Sequence, residues 1–293
     1  MAQSDQNLYS AFPVKERALE IEEKNEQLKE LLQSKKLQLQ AQEFLEKFEM
    51  SWVYHDNALE GVVYTPSELM AALRPGAVAA EASLMPIVLE IRNHKAALEY
   101  IREEAKSAGK KAPAATMSQV KRIHDLLSGN TPEAIAARAA AERRERSEKE
   151  LAKEREKSGY RRDMPLHRTY FHEIAQPAKI PGLLEKLIDN TATADFRELH
   201  PIYQAASIQH GIIQIFPFTE HSGKVARMVS NMILLRHNFF PAVIHSIDRQ
   251  RYYEAFRGTA TAFRTTLMDA MENALDNGLK YFRDLTRKYK AIN

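Results

Sequence analysis

From Lys15 to Phe48 the chain is built largely of Glu, Lys, Gln and Leu, and Leu19, Ile21, Leu28, Leu31, Leu32, Leu39, Leu45 and Phe48 recur at roughly helical intervals. That pattern predicts a long amphipathic N-terminal helix. The apolar spacing does not hold a heptad, so it favours a helix lying on its own domain over a coiled-coil dimer. Thr65-Pro66 has the form of an N-cap followed by a first-turn proline, and Arg74-Pro75-Gly76 closes the helix it opens. Further helices are predicted over Pro86 to Ala105, Met117 to Leu127, Ile180 to Asn190, Pro201 to Ile215, Gly223 to His237, and from Arg249 onward with breaks near Gly258 and Gly278. Strand-like alternation is confined to short pieces. The predicted fold class is therefore all-α, with at most a hairpin.

Charge and composition narrow the partners. Against 42 Lys and Arg stand 39 Asp and Glu, and a net charge of +3 spread over so charged a surface is no nucleic-acid footprint. The chain has no cysteine, which excludes disulfides and thiolate chemistry and fits a reducing compartment. Its longest apolar runs, Gly211 to Phe218 and Met232 to Leu235, fall far short of the roughly 20 residues that cross a bilayer. A cytoplasmic protein with no nucleic-acid or membrane partner is expected. Thr131 to Lys157 is almost wholly Ala, Glu, Arg and Lys, which predicts a solvated helical insertion or, alternatively, a docking arm for a charged partner. Between Gly159 and Pro177 the chain is irregular, with Tyr160, Tyr170, Phe171, His167 and His172 in an ordered loop or short hairpin.

The window Phe216-Pro217-Phe218-Thr219-Glu220-His221-Ser222-Gly223-Lys224-Val225-Ala226-Arg227 carries the chemistry. An apolar helix runs into a proline-containing loop, and Ser222-Gly223 opens a second helix with two cations, Lys224 and Arg227, in its first turns. Unpaired N–H groups at a helix start, with cations three residues apart, make an anion site suited to phosphate. Glu220 beside it could hold a divalent cation bridging phosphates.

This window resembles the signature of the Fic family, in which His-Pro-Phe is followed by any residue, an acid, Gly-Asn-Gly-Arg, two further residues and a second arginine. The flanks agree, from His200-Pro201 to Ile215, through Asn231 to Arg236, and from Asp248-Arg249 to Tyr252-Tyr253-Glu254-Ala255. Trp52 to Gly61 resembles the family's N-terminal inhibitory helix, and Ile91-Arg92-Asn93-His94 and Gly159-Tyr160-Arg161 match the wider pattern. The resemblance implies an extension over residues 1–48, a Fic-like helical core over 49–256 interrupted by a charged insertion at 131–158, and C-terminal helices over 257–293. It implies a short β-hairpin flap containing Tyr170, Phe171 and His172, which aligns a target protein segment. It also implies AMP transfer from ATP, with Mg, to a hydroxyl of that protein. Glu220 matches the metal-binding acid, while Ser222, Gly223, Lys224 and Arg227 match the phosphate cradle. Glu60 matches the inhibitory glutamate that pairs with Arg227. Asp56 stands where that motif prefers serine or threonine.

The departures decide the expected function. Phe216 replaces the signature histidine, the general base, and has no group that accepts a proton; a positioned base is worth roughly 100- to 10,000-fold in rate. His221 replaces a glycine of the cradle, Ser222 an asparagine, and Lys224 an arginine whose planar fork holds phosphate. His221 is a weak candidate for a substitute base, and His210 reads as a packing residue. The sequence thus points to a pseudoenzyme that binds a protein or nucleotide without transferring AMP. Two alternatives stand beside it: a transferase with non-standard chemistry, and a helical scaffold whose N-terminal helix forms a homodimer.

Overall fold

Thirteen consecutive positions of one helix, Ser222 to Leu234, are buried whatever face they lie on, and this helix is the axis of the molecule. In a computed structural model, residues 12–73, 84–109, 112–130, 159–165 and 173–292 are described, with side chains between 15 and 287. They form α1 (Phe12–Gln33), α2 (Gln38–Leu59), α3 (Pro66–Leu73), α4 (Met85–Ser107), α5 (Met117–Leu127), α6 (Ile180–Asn190), α7 (Ala194–Glu198), α8 (Pro201–Ile215), α9 (Ser222–Arg236), α10 (Arg249–Ala255) and α11 (Ala260–Ile292). The all-α class is as expected, and no strand occurs among the described residues. The expected flap residues Tyr170, Phe171 and His172, and the charged insertion at 131–158, lie outside the described residues.

Helix α9 packs between α8 and α4, with α5 also against it; α11 covers α8, and α1 lies along α11. The contacts are apolar, from Val225, Met228, Val229 and Met232 of α9 to Ile208 and Ile212 of α8 and Ile91 and Leu98 of α4, none more than 1% exposed. Because α9 has no solvent face, its polar residues need partners inside the protein. Asn231 finds them in the Ala242 backbone, donating to its carbonyl at 3.0 Å and accepting from its N–H at 2.8 Å. Lys224 and Arg227 meet the same demand nearer the helix start.

Two expectations are corrected. The N-terminal segment is two helices, interrupted where Ser34 adopts an extended conformation (φ −66°, ψ 118°) before a single 3-10 turn at Lys35–Leu37. No residue of that turn is buried, so no packing opposes the bend. Helix α2 is then continuous from Gln38 to Leu59, joining the amphipathic segment to the inhibitory-type segment. The break predicted near Gly278 is also absent, since α11 is unbroken from Ala260 to Ile292. A Cβ at Gly278 would come within 2.8 Å of the Leu28 side chain and 3.1 Å of Phe44, so this glycine serves close approach of α1 and α2 to α11. The break near Gly258 is real, between α10 and α11. Helix α5 begins as its sequence predicts: Thr116 accepts from Gln119 N–H at 3.2 Å, while Gln119 accepts from Thr116 N–H at 2.9 Å.

Candidate functional site

The loop from Phe216 to His221 joins α8 to α9, and both of its end residues are left-handed, with φ of 50° at Phe216 and 65° at His221. For residues with a Cβ this conformation costs about 1–2 kcal/mol each, so the surroundings must enforce it. At Phe216 they do. Its N–H closes α8 onto Ile212 O at 2.8 Å, while buried Arg161 donates from Nε to Phe216 O at 2.7 Å and from Nη2 to Ile215 O at 3.3 Å. The Arg161 guanidinium also reaches the Ala175 carbonyl, and its backbone N–H reaches Pro217 O at 2.9 Å. A cation thereby meets the free carbonyls at the end of α8, where the helix dipole favours it. The Phe216 ring is left 4% exposed.

At the other end, Ser222 Oγ accepts from Phe218 N–H at 2.8 Å and donates to Phe218 O at 2.9 Å. This pair of bonds engages the hydroxyl in shaping the loop. Phe218 is fully buried, and the His124 ring stacks on it with centroids 3.9 Å apart and planes at 12°. Burial pushes the His124 imidazole down to about 4, against the opposing pull of the Glu220 backbone carbonyl. His221 is pushed down to about 3 by burial and then by the Lys224 charge. A histidine so reluctant to take a proton is a poor general base. Glu220 lies exposed on the loop, and among the described residues no group of three metal-ligating side chains is assembled.

At the start of α9, where the motif resemblance puts a phosphate cradle, a carboxylate of α2 approaches the helix. A Cβ built on Gly223 would lie 2.2 Å from Glu60 Oε1 and 3.0 Å from Arg227 Nη1, so only glycine permits this approach. The expected pair is formed: Arg227 Nη2 donates to Glu60 Oε1 at 2.9 Å. Arg227 Nε also bonds Asp56 Oδ1, Nη2 reaches Asp56 O at 3.1 Å, and Nη1 reaches the Tyr252 hydroxyl at 3.4 Å. Burial alone would lower the Arg227 pKa, but the Asp56 and Glu60 carboxylates outweigh it and hold the guanidinium well above its ordinary range. Burial would likewise raise Asp56, yet Arg227 and His94 keep it well below the usual carboxylate range. Lys224 is directed not along the loop but to α4, 3.6 Å from Glu90 Oε1, and its side chain is 3% exposed. With one cation held by Asp56 and Glu60, the other beside Glu90, and Glu60 against Gly223, these residues as placed do not fit a triphosphate.

The sequence brought Glu60, Gly223, Lys224 and Arg227 to one place; the structure joins Glu60, Gly223 and Arg227 and turns Lys224 to Glu90. It did not assign partners to Asp56, His94, Glu90 or Tyr252. The available signal was the four-residue spacing of Asp56 and Glu60, which sets both carboxylates on one face of α2.

A helix–loop–helix with a carboxylate of α2 set against the start of its second helix is the arrangement the site defines. Residues 114–234 match the model of the Fic/DOC family. Among curated proteins, the chain is similar to a protein adenylyltransferase Fic of Nematostella vectensis, 35% identical over 83 residues that make up 28% of this chain and 19% of that protein. It is also similar to one of Drosophila willistoni, 27% identical over 125 residues, 41% of this chain and 25% of that protein. The matches thus span a quarter or less of these relatives' own length. Among solved structures, a Fic-domain signaling protein of Bacteroides thetaiotaomicron superposes with a TM-score of 0.65 at 20% identity, covering 90% of this chain and 98% of that one. No helix among the described residues is long and apolar enough to cross a membrane.

Proposed function

We propose that this chain is a Fic-fold pseudoenzyme that engages a protein partner and does not transfer AMP. The observation that carries the reading is Phe216, a buried ring at the position where the family signature has its proton-accepting histidine. The relatives named protein adenylyltransferase supply the activity from which it departs. The neighbouring changes point the same way, since Ser222 is bonded to the Phe218 backbone, Lys224 sits beside Glu90, and His221 resists protonation. Glu60 against Gly223 acts as a structural counter-charge in the anion site, which is also the place a nucleotide phosphate would have to enter.

The test is incubation of the purified chain with α-labelled ATP, Mg and a cell lysate. No label above background is expected on the chain or on any lysate protein. Metal-dependent labelling that disappears in Glu220→Ala would overturn the reading and assign the chain a non-standard transferase activity.

A further inference from the structure

Arg227 is held by two carboxylates of α2, and they are not equivalent. Glu60 ends the helix, its side chain is 20% exposed, and it meets Arg227 through one oxygen at 2.9 Å. The Asp56 side chain is 3% exposed, and the residue offers Arg227 two acceptors, Oδ1 to Nε and the main-chain oxygen to Nη2 at 3.1 Å. Behind Asp56 stands a buried histidine. His94 Nε2 lies 3.2 Å from its Oδ2 without hydrogen-bond geometry, and Asn57 Nδ2 donates to His94 Nδ1 at 3.1 Å, leaving the imidazole proton on Nε2 beside the carboxylate. Asn57 itself donates to Val53 O at 2.7 Å and accepts from the Tyr64 hydroxyl at 3.4 Å. A short side chain buried between α2 and α4 gives up less freedom in holding a cation than a longer, partly exposed glutamate at a helix end.

We propose that Asp56, rather than Glu60, is the principal counter-ion of Arg227, a permanent positioning residue that withholds this arginine from the terminal phosphate of a nucleoside triphosphate even when Glu60 is removed. The inference rests on the phosphate-site reading of the start of α9, and it adds that α2 restrains the site through two carboxylates of different permanence. Where the family motif has a serine or threonine hydroxyl, this chain has a full negative charge at hydrogen-bonding distance from the arginine. Removing Glu60 uncovers Gly223 and leaves Arg227 where it is.

The experiment follows the side-chain Nε–H resonance of Arg227 by 15N NMR, with calorimetric titration of Mg-ATP, in the full chain and in Glu60→Gly, Asp56→Ser and the double variant. In Glu60→Gly the Arg227 resonance is expected to stay protected from solvent exchange, with ATP affinity rising by less than about threefold. The double variant is expected to lose that protection and to bind ATP more than about tenfold tighter than Glu60→Gly. Loss of Arg227 protection in Glu60→Gly alone, together with the full gain in ATP affinity, would overturn the proposal. Should Asp56→Ser fail to fold, Glu60→Gly still decides it, because that variant retains Asp56 and its Arg227 resonance is either protected or exposed. Protection that persists in Glu60→Gly, beside a folded double variant that ignores ATP, would leave Asp56 as the holder of Arg227 and defeat only the phosphate-site reading.

Discussion

A guanidinium with 4% of its side chain exposed is costly to bury unless carboxylates stand next to it, and Arg227 has Asp56 and Glu60 in that place. Their burial predicts unequal costs of removal. Arg227→Met leaves Asp56 buried without its counter-charge and is expected to destabilise the fold by about 3–5 kcal/mol. Glu60→Gln removes a partly exposed partner while Asp56 remains, and is expected to cost less than about 1 kcal/mol. Urea midpoints of the two variants measure the difference, and equal losses would show that Glu60 carries as much of the pairing as Asp56. Much of this was legible beforehand. The pair of Glu60 with Arg227 followed from the motif resemblance, whereas the four-residue spacing that puts Asp56 and Glu60 on one helical face was a signal left unused. That Asp56 is the buried partner was not legible, because burial of a charged residue depends on what α4 and α9 bring against α2. The orientation of Lys224 toward Glu90 escaped for the same reason.

Helices were readable where the start or stop signal is local, and unreadable where a distant surface decides. The predicted ranges Met117 to Leu127, Pro201 to Ile215 and Ile180 to Asn190 are those of α5, α8 and α6, and in the structure α5 and α8 start at local caps, Thr116 with Gln119 and His200 before Pro201. The bend at Ser34 has no comparable local signal; there α1 ends its path along α11 and α2 turns back toward the core. Gly278 was read as a break, yet it is a contact point where a side chain would strike Leu28 and Phe44. Gly278→Val is therefore expected to destabilise the protein by about 1–3 kcal/mol through overpacking. Gly182→Ala in α6, whose Cβ would meet nothing within 4 Å, is expected to be neutral or slightly stabilising. Thermal midpoints of the two variants test the contrast, and a neutral Gly278→Val would show that α1 and α2 yield to the added volume.

Across the whole molecule, several histidines are kept neutral by burial. His55 is pushed down to about 4 by burial and then by His245, whose ring stacks on it at 4.4 Å, and its Nδ1 accepts from Ser246 N–H at 3.2 Å. With His124 also near 4 and His221 near 3, these folded-state values lie below the ordinary value of 6.5. Such groups contribute stability that is complete above pH 6.5 and is lost as pH falls toward 4, because the unfolded chain takes up protons that the folded one refuses. The melting temperature is expected to drop between pH 7 and pH 5 by less in His55→Asn, which keeps an acceptor for Ser246, than in the parent chain; parallel curves would place the acid sensitivity elsewhere.

On the proposed function, AMP transfer fails as a constellation, because Phe216 is packed, Ser222 is bonded within the loop, and Lys224 and Arg227 are paired internally. Groups that act together contribute non-additively, so a base without a held phosphate activates nothing. The most direct measurement is transfer of AMP from α-labelled ATP by a graded series of variants. Phe216→His alone is expected to transfer nothing. Transfer is expected only when His221→Gly, Ser222→Asn, Lys224→Arg, Asp56→Ser and Glu60→Gly are combined with it, which rebuild the cradle and free Arg227. Labelling by the single Phe216→His variant equal to that of the combined variant would contradict the account, because it would mean that the carboxylate-filled site had never been a barrier.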